Sequence, residues 1–215
     1  MEAVSLDLDG TLVDMSFANR VWLEEIPRFY SLRHGLPLQR AREVVREEYD
    51  RVGDGRLEWY DLQYWLRKFD LPVEPRELFE RSREAVRIYP EVPGVLEELR
   101  REGYRLLLLT NAPREFASFQ LGVLGLEGYF DRFFSSFSDF RRIKRSEETY
   151  LRILQECSLS PSQLVHVGDH FEYDYQVPRR VGIKAFYLDR KGRTSGEFVV
   201  RDLREFRERL RNGFG

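Results

Sequence analysis

The sequence predicts an α/β fold in which a parallel sheet is the middle of three layers and carries an inserted all-helical domain. Two features lead to this prediction. From about residue 89 onward, short apolar segments alternate with amphipathic helical ones, which is typical of βαβ units and a parallel sheet. Between the first apolar segment and this alternating part, residues 16–88 show helical patterns alone.

The strands are predicted from short apolar segments. The first, AVSLDL, ends at the turn signal Asp9-Gly10. The later ones are YRLLLLT, FDRFFSS, LVHVGD, KAFYLD and EFVV. Each is preceded by a helical segment or a short loop, so we expect consecutive strands to run parallel with right-handed crossovers.

Helix start and stop signals divide the region 16–88 into four predicted helices. They are FANRVWLEEIPRFYSLRHG closed by Gly35, LQRAREVVREEYDRVG closed by Gly53, EWYDLQYWLRKF ended before Pro72, and PRELFERSREAV started by Pro75. The helices predicted beyond them are VLEELRREG, residues 114–124, SEETYLRILQECSL, residues 173–181 and DLREFRERLRN. We therefore expect a main domain of residues 1–15 plus 89–215 and a helical domain of residues 16–88.

The composition argues against several classes of protein. The formal net charge of -2 gives no global reason for a nucleic-acid or anionic-membrane partner. The apolar run LLLL is far shorter than the roughly 20 residues of a membrane span. The single cysteine, Cys157, excludes an intrachain disulfide and is expected to be a buried, inert thiol. Because the start of the chain lacks a signal-peptide pattern, we expect a cytoplasmic protein. The expected oligomeric state is a monomer or a homodimer.

Polar residues follow three of the predicted strands. Ligands of open parallel sheets bind beyond the carboxyl ends of the strands, so these residues are expected to meet at one edge. The residues that follow these strands are Asp7, Asp9, Thr110, Asn111, Asp169 and Asp174. Lys144 joins them at the same edge, because it stands before the helix that precedes the strand LVHVGD.

Asp7 and Asp9 are two positions apart, a spacing that places both side chains on one face of a strand. Two neighbouring carboxylates repel each other, and Mg²⁺, which prefers oxygen ligands, reverses that penalty. Asp169 supplies a further carboxylate. An Asp-Gly pair alone is also an ordinary turn, so the other strand ends are what favour a metal site.

Thr110 and Lys144 add groups that suit an anion. The Thr110 hydroxyl and the backbone N–H groups of the loop TNAP can donate to an anionic oxygen, and the Lys144 ammonium can hold a phosphate. A nucleophile, a proton donor, a metal and fixed positive charge are the parts that hydrolytic phosphoryl transfer needs.

Four segments resemble, in order, the motifs of the haloacid dehalogenase (HAD) superfamily. SLDLDGTLVD resembles motif one, LLLLTN motif two, and VHVGDHFEYD motif four, while Lys144 falls where motif three places its lysine. The resemblance spans nearly the whole chain. It implies a Rossmann-like core and a helical cap of the C1 type directly after motif one.

The resemblance implies a Mg²⁺-dependent phosphatase that acts on a small phosphorylated substrate through an aspartyl-phosphate. Asp7 would be the nucleophile. Asp9 would be the general acid and base, and its backbone carbonyl would also reach Mg²⁺. The founding dehalogenases do not need this second acid, so Asp9 favours phosphoryl chemistry, in which a leaving alkoxide requires a proton.

The resemblance also implies binding roles. Thr110 and Lys144 would hold the phosphate, assisted by the backbone of Asn111. Asp169 would bind Mg²⁺, and Asp174 would support the metal directly or through water.

The chain departs from the usual motifs in a few places. Arg145 follows the motif-three lysine where many relatives have proline, and His170 and Tyr173 stand where small or amide residues are common. We expect His170 to be exposed beside the metal site without a catalytic role, and His166 to pack within its strand.

The inserted domain is expected to choose the substrate. In VGDGRLEWYDLQYW, residues with helical spacing favour a cap core formed by Leu57, Tyr60, Leu62, Tyr64 and Trp65. In the alternative, Arg56 or an aromatic side chain near the turn reaches the active site.

The sequence is also compatible with other functions. A 2-haloacid dehalogenase or a phosphomutase would use the same fold. A response-regulator receiver also gathers acids, a threonine and a lysine at strand ends, but it is shorter and lacks a helical cap. A non-catalytic binding or signalling relative would be expected to lack a motif acid, and none is missing here.

Overall fold

The computed structural model describes residues 1–213, so the last two residues of the predicted main domain lie outside the described part. The strands are β1 (Ala3–Leu6), β2 (Arg105–Thr110), β3 (Arg132–Ser135), β4 (Leu164–Gly168), β5 (Lys184–Leu188) and β6 (Val199–Val200). They form one sheet in the order β3-β2-β1-β4-β5-β6, and every pairing is parallel. The predicted α/β fold is confirmed.

Both faces of the sheet are covered, which explains the uninterrupted apolar run of β2. Leu106 and Leu108 belong to one buried apolar cluster, whereas Leu107 and Leu109 belong to a second one. Successive residues of a strand point to opposite faces, so a strand between two layers is apolar throughout. The sheet is therefore the middle of three layers.

The chain between β1 and β2 is helical, as predicted. Its helices are α1 (Ser16–Asn19), α2 (Ile26–His34), α3 (Leu38–Val52), α4 (Leu62–Lys68) and α5 (Pro75–Ser82), with a π-helical segment at Arg20–Glu25 and 3₁₀ turns at Leu57–Tyr60 and Arg83–Ala85. The helix predicted for EWYDLQYWLRKF is instead broken at Asp61. The Asp61 carboxylate accepts a hydrogen bond from the Tyr64 N–H at 3.0 Å and starts α4 as its N-cap.

Helices alternate with the strands in the rest of the chain. They are α6 (Val92–Arg101), α7 (Arg114–Leu124), α8 (Ser136–Phe140), α9 (Glu147–Cys157), α10 (Val177–Arg180) and α11 (Leu203–Arg211). The short helix α8 was not predicted. It begins where the Ser135 hydroxyl caps the Ser138 N–H, an interaction that the sequence pattern did not reveal.

The two connections between the helical region and the sheet run side by side. The Asp14 N–H donates to the Arg87 carbonyl at 3.0 Å, and the Tyr89 N–H donates to the Leu12 carbonyl at 3.1 Å. Beyond this ribbon, the Phe17 ring packs against the Phe116 ring of α7, with centroids 4.8 Å apart. The helical region thus shares a continuous apolar core with one face of the sheet.

Cys157 is a buried free thiol, as predicted, and burial raises its pKa. Within residues 1–213, no helix combines the length and the apolar character needed to cross a membrane.

Candidate active site

The seven residues predicted for the site all line one cavity of about 460 Å³. They are Asp7 and Asp9 after β1, Thr110 and Asn111 at the end of β2, Asp169 and Asp174 after β4, and Lys144 before α9. The strand order explains this convergence, because β1 lies between β2 and β4 and their carboxyl ends are neighbours. We call these seven residues the sheet side of the cavity.

The ammonium group of Lys144 joins two carboxylates of the sheet side. Its Nζ donates to Asp7 Oδ1 at 2.5 Å and to Asp174 Oδ1 at 2.6 Å, and all three side chains are buried. Burial opposes the charge of Lys144, but Asp174 and Asp7 raise the pKa of the lysine above its ordinary value. One cation therefore serves two buried carboxylates.

Burial and neighbouring charges shift the pKa values of the acids in this cluster. Burial, with Asp174 and Asp169 nearby, raises the pKa of Asp7 well above its usual range, although Lys144 opposes the shift. Burial also raises the pKa of Asp169 to about 7, and the charge of Asp174 adds to it. Burial would raise the pKa of Asp174 as well, but Lys144 and His166 hold it below its ordinary value.

Three of the acids form a group that fits a metal ion. One oxygen each from Asp7, Asp169 and Asp174 lies within 4.8 Å of the others. Such carboxylate oxygens suit Mg²⁺, and a divalent cation would offset both the burial and the mutual repulsion that raise the pKa values of Asp7 and Asp169. Both oxygens of Asp174 already accept hydrogen bonds, which favours support through water. The Asp9 carboxylate does not belong to this group of three.

Asp9 has a different partner from the other acids. Nε2 of Gln120, on α7, donates to Asp9 Oδ1 at 3.1 Å. Burial raises the pKa of Asp9 to about 6, and the hydrogen bond from Gln120 lowers it. The turn after it requires Gly10, whose φ is +82° and where a Cβ would overlap the Asp169 carboxylate. The carboxyl of Asp9 thus keeps its proton to a higher pH than an exposed aspartate does.

Thr110 and Asn111 shape the loop that follows β2. Thr110 Oγ1 accepts a hydrogen bond from the Ala112 N–H at 3.0 Å. Asn111 Oδ1 accepts from Ser136 Oγ at 2.7 Å and from the Lys144 N–H at 2.8 Å. The Asn111 side chain therefore fixes the segment that carries Lys144, a contact that the motif did not indicate.

Two further residues at the site were missed by the sequence reasoning. His166 is completely buried, and its Nε2 lies 3.0 Å from Asp174 Oδ1 while its Nδ1 lies 3.0 Å from Ser5 Oγ. The prediction that it packs is thus incomplete, because it also orients an acid. The available signal was a polar residue inside an apolar strand, which requires a partner when buried. Gln120 gave no comparable signal.

The helical region supplies the opposite side of the cavity, which we call the helical side. Its lining includes the aromatic residues Trp22, Tyr49, Trp59 and Tyr60 and the charged residues Arg46 and Asp50. An aromatic side chain near the turn at residues 53–55 therefore does reach the cavity, as one of the two alternatives predicted.

The loop around the turn at residues 53–55 also contacts residues on the opposite side of the cavity. Asn111 Nδ2 donates to Tyr60 Oη at 3.4 Å, and Tyr173 Oη donates to the Asp54 carbonyl at 3.5 Å. The His170 ring stacks on the Tyr173 ring with centroids 3.8 Å apart. His170 thus lines the cavity beside Asp169 and belongs to the contact between the two sides.

Arg56, the other candidate from this loop, does not line the cavity. Its guanidinium group donates to Glu58 at 2.8 Å on the exposed surface. Leu62 and Trp65 are buried in the apolar core, as predicted.

Comparison with known proteins assigns the family. Residues 1–182 match the family described as haloacid dehalogenase-like hydrolase. The chain is 28% identical over 169 residues to the GMP/IMP nucleotidase YrfG of Escherichia coli K12, covering 79% of this chain and 74% of that protein. It is 27% identical over 187 residues to a phosphoglycolate phosphatase of Aquifex aeolicus, covering 86% and 83%. The crystal structure of a HAD phosphatase from Thermococcus onnurineus superposes with a TM-score of 0.88 at 29% identity over 98% of both chains.

The chain therefore belongs to the haloacid dehalogenase-like hydrolase family, as the four sequence motifs predict. The predicted enzyme class, a hydrolase of phosphoric monoesters, is confirmed at this level.

Proposed function

We propose that this enzyme is a Mg²⁺-dependent phosphatase that hydrolyses a small phosphorylated metabolite through an aspartyl-phosphate on Asp7. The observation that carries the proposal is the convergence at one cavity of Asp7, Asp9 and Lys144 with the acidic group that fits a metal. A nucleophile, a proton donor and a fixed cation thus face the same space.

In the first step, a carboxylate oxygen of Asp7 attacks phosphorus, and the bond between phosphorus and the leaving oxygen breaks. The Asp9 carboxyl gives its proton to that leaving oxygen. Its pKa of about 6 suits this task, because the proton is retained closer to neutral pH.

In the second step, the Asp9 carboxylate takes a proton from a water molecule, whose oxygen attacks the phosphorus of the aspartyl-phosphate. The bond between phosphorus and the Asp7 oxygen breaks, which releases inorganic phosphate and restores both carboxyl groups. Gln120 supports both steps by holding the Asp9 side chain in place.

The remaining sheet-side residues would bind and orient the reactants. Asp7, Asp169 and the backbone carbonyl of Asp9 would hold Mg²⁺, with Asp174 supporting them. When bound, Mg²⁺ would neutralise the acids and stabilise negative charge on the phosphoryl oxygens. Thr110, Lys144 and the backbone of Asn111 would hold the transferring phosphoryl group.

We also propose that residues 16–88 act as a cap on a core of residues 1–15 plus 89–215. The paired connections at Leu12–Asp14 and Arg87–Tyr89 give the two parts a single narrow junction. Closure at this junction would exclude water from the acyl-phosphate.

The residues that line the cavity indicate which class of substrate fits it. The relatives are named for GMP or IMP and for phosphoglycolate, which differ in the leaving group. Six aromatic side chains line the cavity: Trp22, Tyr49, Trp59, Tyr60, Phe116 and Tyr173. Aromatic walls stack on planar rings and offer little to a short hydroxy acid, so a nucleoside monophosphate is the better fit.

The test is phosphate release from p-nitrophenyl phosphate with Mg²⁺ and with EDTA. We expect Asp7→Asn to lower kcat/KM by about 10⁴-fold or more, because no other group replaces the nucleophile. Asp70→Asn is the matched control, since the Asp70 carboxylate pairs with Arg33 on the exposed surface and does not line the cavity. Full activity of Asp7→Asn would refute the nucleophile assignment.

A dehalogenase, a phosphomutase and a non-catalytic relative remain the rival functions. Halide release from a 2-haloacid without phosphate release would favour the first, although the presence of the proton donor Asp9 argues against it. Interconversion of sugar phosphates without net hydrolysis would favour the second. Calorimetry that detects no Mg²⁺ binding would favour the third.

A further inference from the structure

In the part of the chain that the structure describes, two charged side chains on the helical side of the cavity have no partner. Arg46 and Asp50 both lie on α3, four positions apart, so they occupy the same face one turn from each other. Both are exposed, and both line the cavity. Within residues 1–213, neither side chain makes a hydrogen bond or an ion pair, including with each other.

Within residues 1–213, the other charges of α3 are either paired or, like those of Arg42 and Glu47, outside the lining of the cavity. Arg40 contacts Glu43, and Arg51 contacts Glu48. Lys144, the lysine of the same cavity, is already shared by Asp7 and Asp174. Arg46 and Asp50 are therefore a donor and an acceptor that face the cavity and are free to bind a ligand.

We propose that Arg46 and Asp50 select the leaving group of the substrate and recognise the 6-oxopurine base of a nucleoside monophosphate. This inference rests on the proposed phosphatase function and identifies the substrate class of the same site.

The chemistry of the base edge matches the pair. A 6-oxopurine has acceptors at O6 and N7, to which an arginine donates in a bidentate manner, and an N1–H beside O6 that a carboxylate accepts. Adenine has the opposite hydrogen-bonding groups at C6 and N1, because it carries an amino donor at C6 and an acceptor at N1. Adenine would therefore place a donor against Arg46 and a lone pair against Asp50.

The presence of Asp50 also argues against a second anionic group in the leaving group. A carboxylate or a second phosphate near Arg46 would lie close to the Asp50 carboxylate as well, and like charges repel. A neutral base satisfies both side chains at once. The aromatic residues of the helical side, such as Trp22 and Trp59, offer faces for its ring.

The test compares kcat/KM for GMP, IMP and AMP in the presence of Mg²⁺, with p-nitrophenyl phosphate as the substrate without a purine. We expect the wild type to prefer GMP and IMP to AMP. Arg46→Met and Asp50→Asn should each lower the ratio of GMP to AMP by about tenfold or more, the usual range for a lost base contact. Arg42→Met and Glu47→Gln change exposed charges of α3 that do not line the cavity, and should keep the wild-type ratio.

A binding measurement separates base recognition from turnover. In Asp7→Asn, tryptophan fluorescence titrated with GMP and with AMP gives dissociation constants without hydrolysis, because Trp22 and Trp59 line the cavity. Adding Arg46→Met should weaken GMP binding by about tenfold and AMP binding less.

Different results overturn the two proposals. Unchanged GMP to AMP ratios in Arg46→Met and Asp50→Asn, or a wild-type preference for AMP, would overturn the role of the pair while aryl phosphate hydrolysis still upheld the phosphatase. Absence of Mg²⁺-dependent phosphate release from every ester would overturn the phosphatase function. Selective GMP binding that depends on Arg46 would then still support the recognition of the base.

Discussion

Charged side chains on the two sides of the cavity are held in opposite ways. On the sheet side, Lys144, Asp7 and Asp174 are buried and bonded to one another at 2.5 and 2.6 Å. On the helical side, Arg46 and Asp50 are exposed and bonded to nothing within the described residues. The two sets nevertheless face the same space.

The difference matches the two proposed roles, chemistry on the sheet side and selection of the substrate on the helical side. A buried charge must have partners in every state of the protein, so the groups proposed for the chemistry are fixed before a substrate arrives. An exposed charge stays hydrated without a partner and can exchange water for a ligand. We therefore expect substitutions on the sheet side to affect folding and chemistry together, and those on the helical side to affect the choice of substrate.

Lys144→Ala should produce the largest loss of stability. It leaves two buried carboxylates without their cation, and breaking a buried pair costs about 3–5 kcal/mol. Urea unfolding followed by tryptophan fluorescence gives the change in unfolding free energy. Arg40→Ala is the control, because its pair with Glu43 is 55% and 47% exposed and water screens the attraction, so little stability should be lost. Equal losses in the two variants would contradict this comparison.

The affinity for Mg²⁺ should depend on pH in a defined direction. The pKa of Asp169 without metal is raised to about 7, so below that pH a cation must displace a proton. The affinity should rise with pH through about 7, by up to about tenfold per pH unit for each proton that the cation displaces. Isothermal titration calorimetry between pH 5 and 8 measures this dependence. A constant affinity over that range would contradict the raised pKa.

Asn111→Ala should have a smaller effect than Lys144→Ala. The substitution removes the acceptor of the Ser136 hydroxyl and of the Lys144 N–H. A buried donor left without a partner costs roughly 1–3 kcal/mol, which thermal or urea unfolding will detect. A loss of activity without any loss of stability would show that these two hydrogen bonds are not what Asn111 contributes.

Tyr60→Phe should have the smallest effect, although Tyr60 contacts the same asparagine. Its hydroxyl accepts from Asn111 Nδ2 at 3.4 Å and is partly buried at the cavity. The loss in unfolding free energy should therefore stay below about 1 kcal/mol. If Tyr60→Phe destabilised the protein as much as Asn111→Ala, the helical side would be fixed as firmly as the sheet side.

The sequence predicted the sheet side far better than the helical side. All seven predicted residues line one cavity. Six of them follow strands, and a strand that ends in acids or in Thr-Asn marks its own carboxyl end, whereas Lys144 was predicted from the resemblance to motif three. The helical side was predicted only in part. Tyr60 was assigned to the cap core but lines the cavity, and Arg56, one of the alternatives for the active site, does not line it. Asp61, with extended backbone, separates the 3₁₀ turn from α4, so helical spacing across it no longer indicates a common face.

The sequence by itself determined the parallel sheet, the helical insertion and the acids of motif one, because these depend on local patterns of apolar and polar residues. The tertiary structure decided that Gln120 contacts Asp9, that His166 contacts Asp174 and that Arg46 faces the cavity. Gln120 and Asp9 are 111 positions apart, and α3 is likewise far in the chain from the strand ends, so these positions follow from the packing of whole helices on the sheet. His166 and Asp174 are only eight positions apart, and they meet because the chain turns back after β4. A local pattern shows that a side chain is polar, and only packing shows which partner it meets.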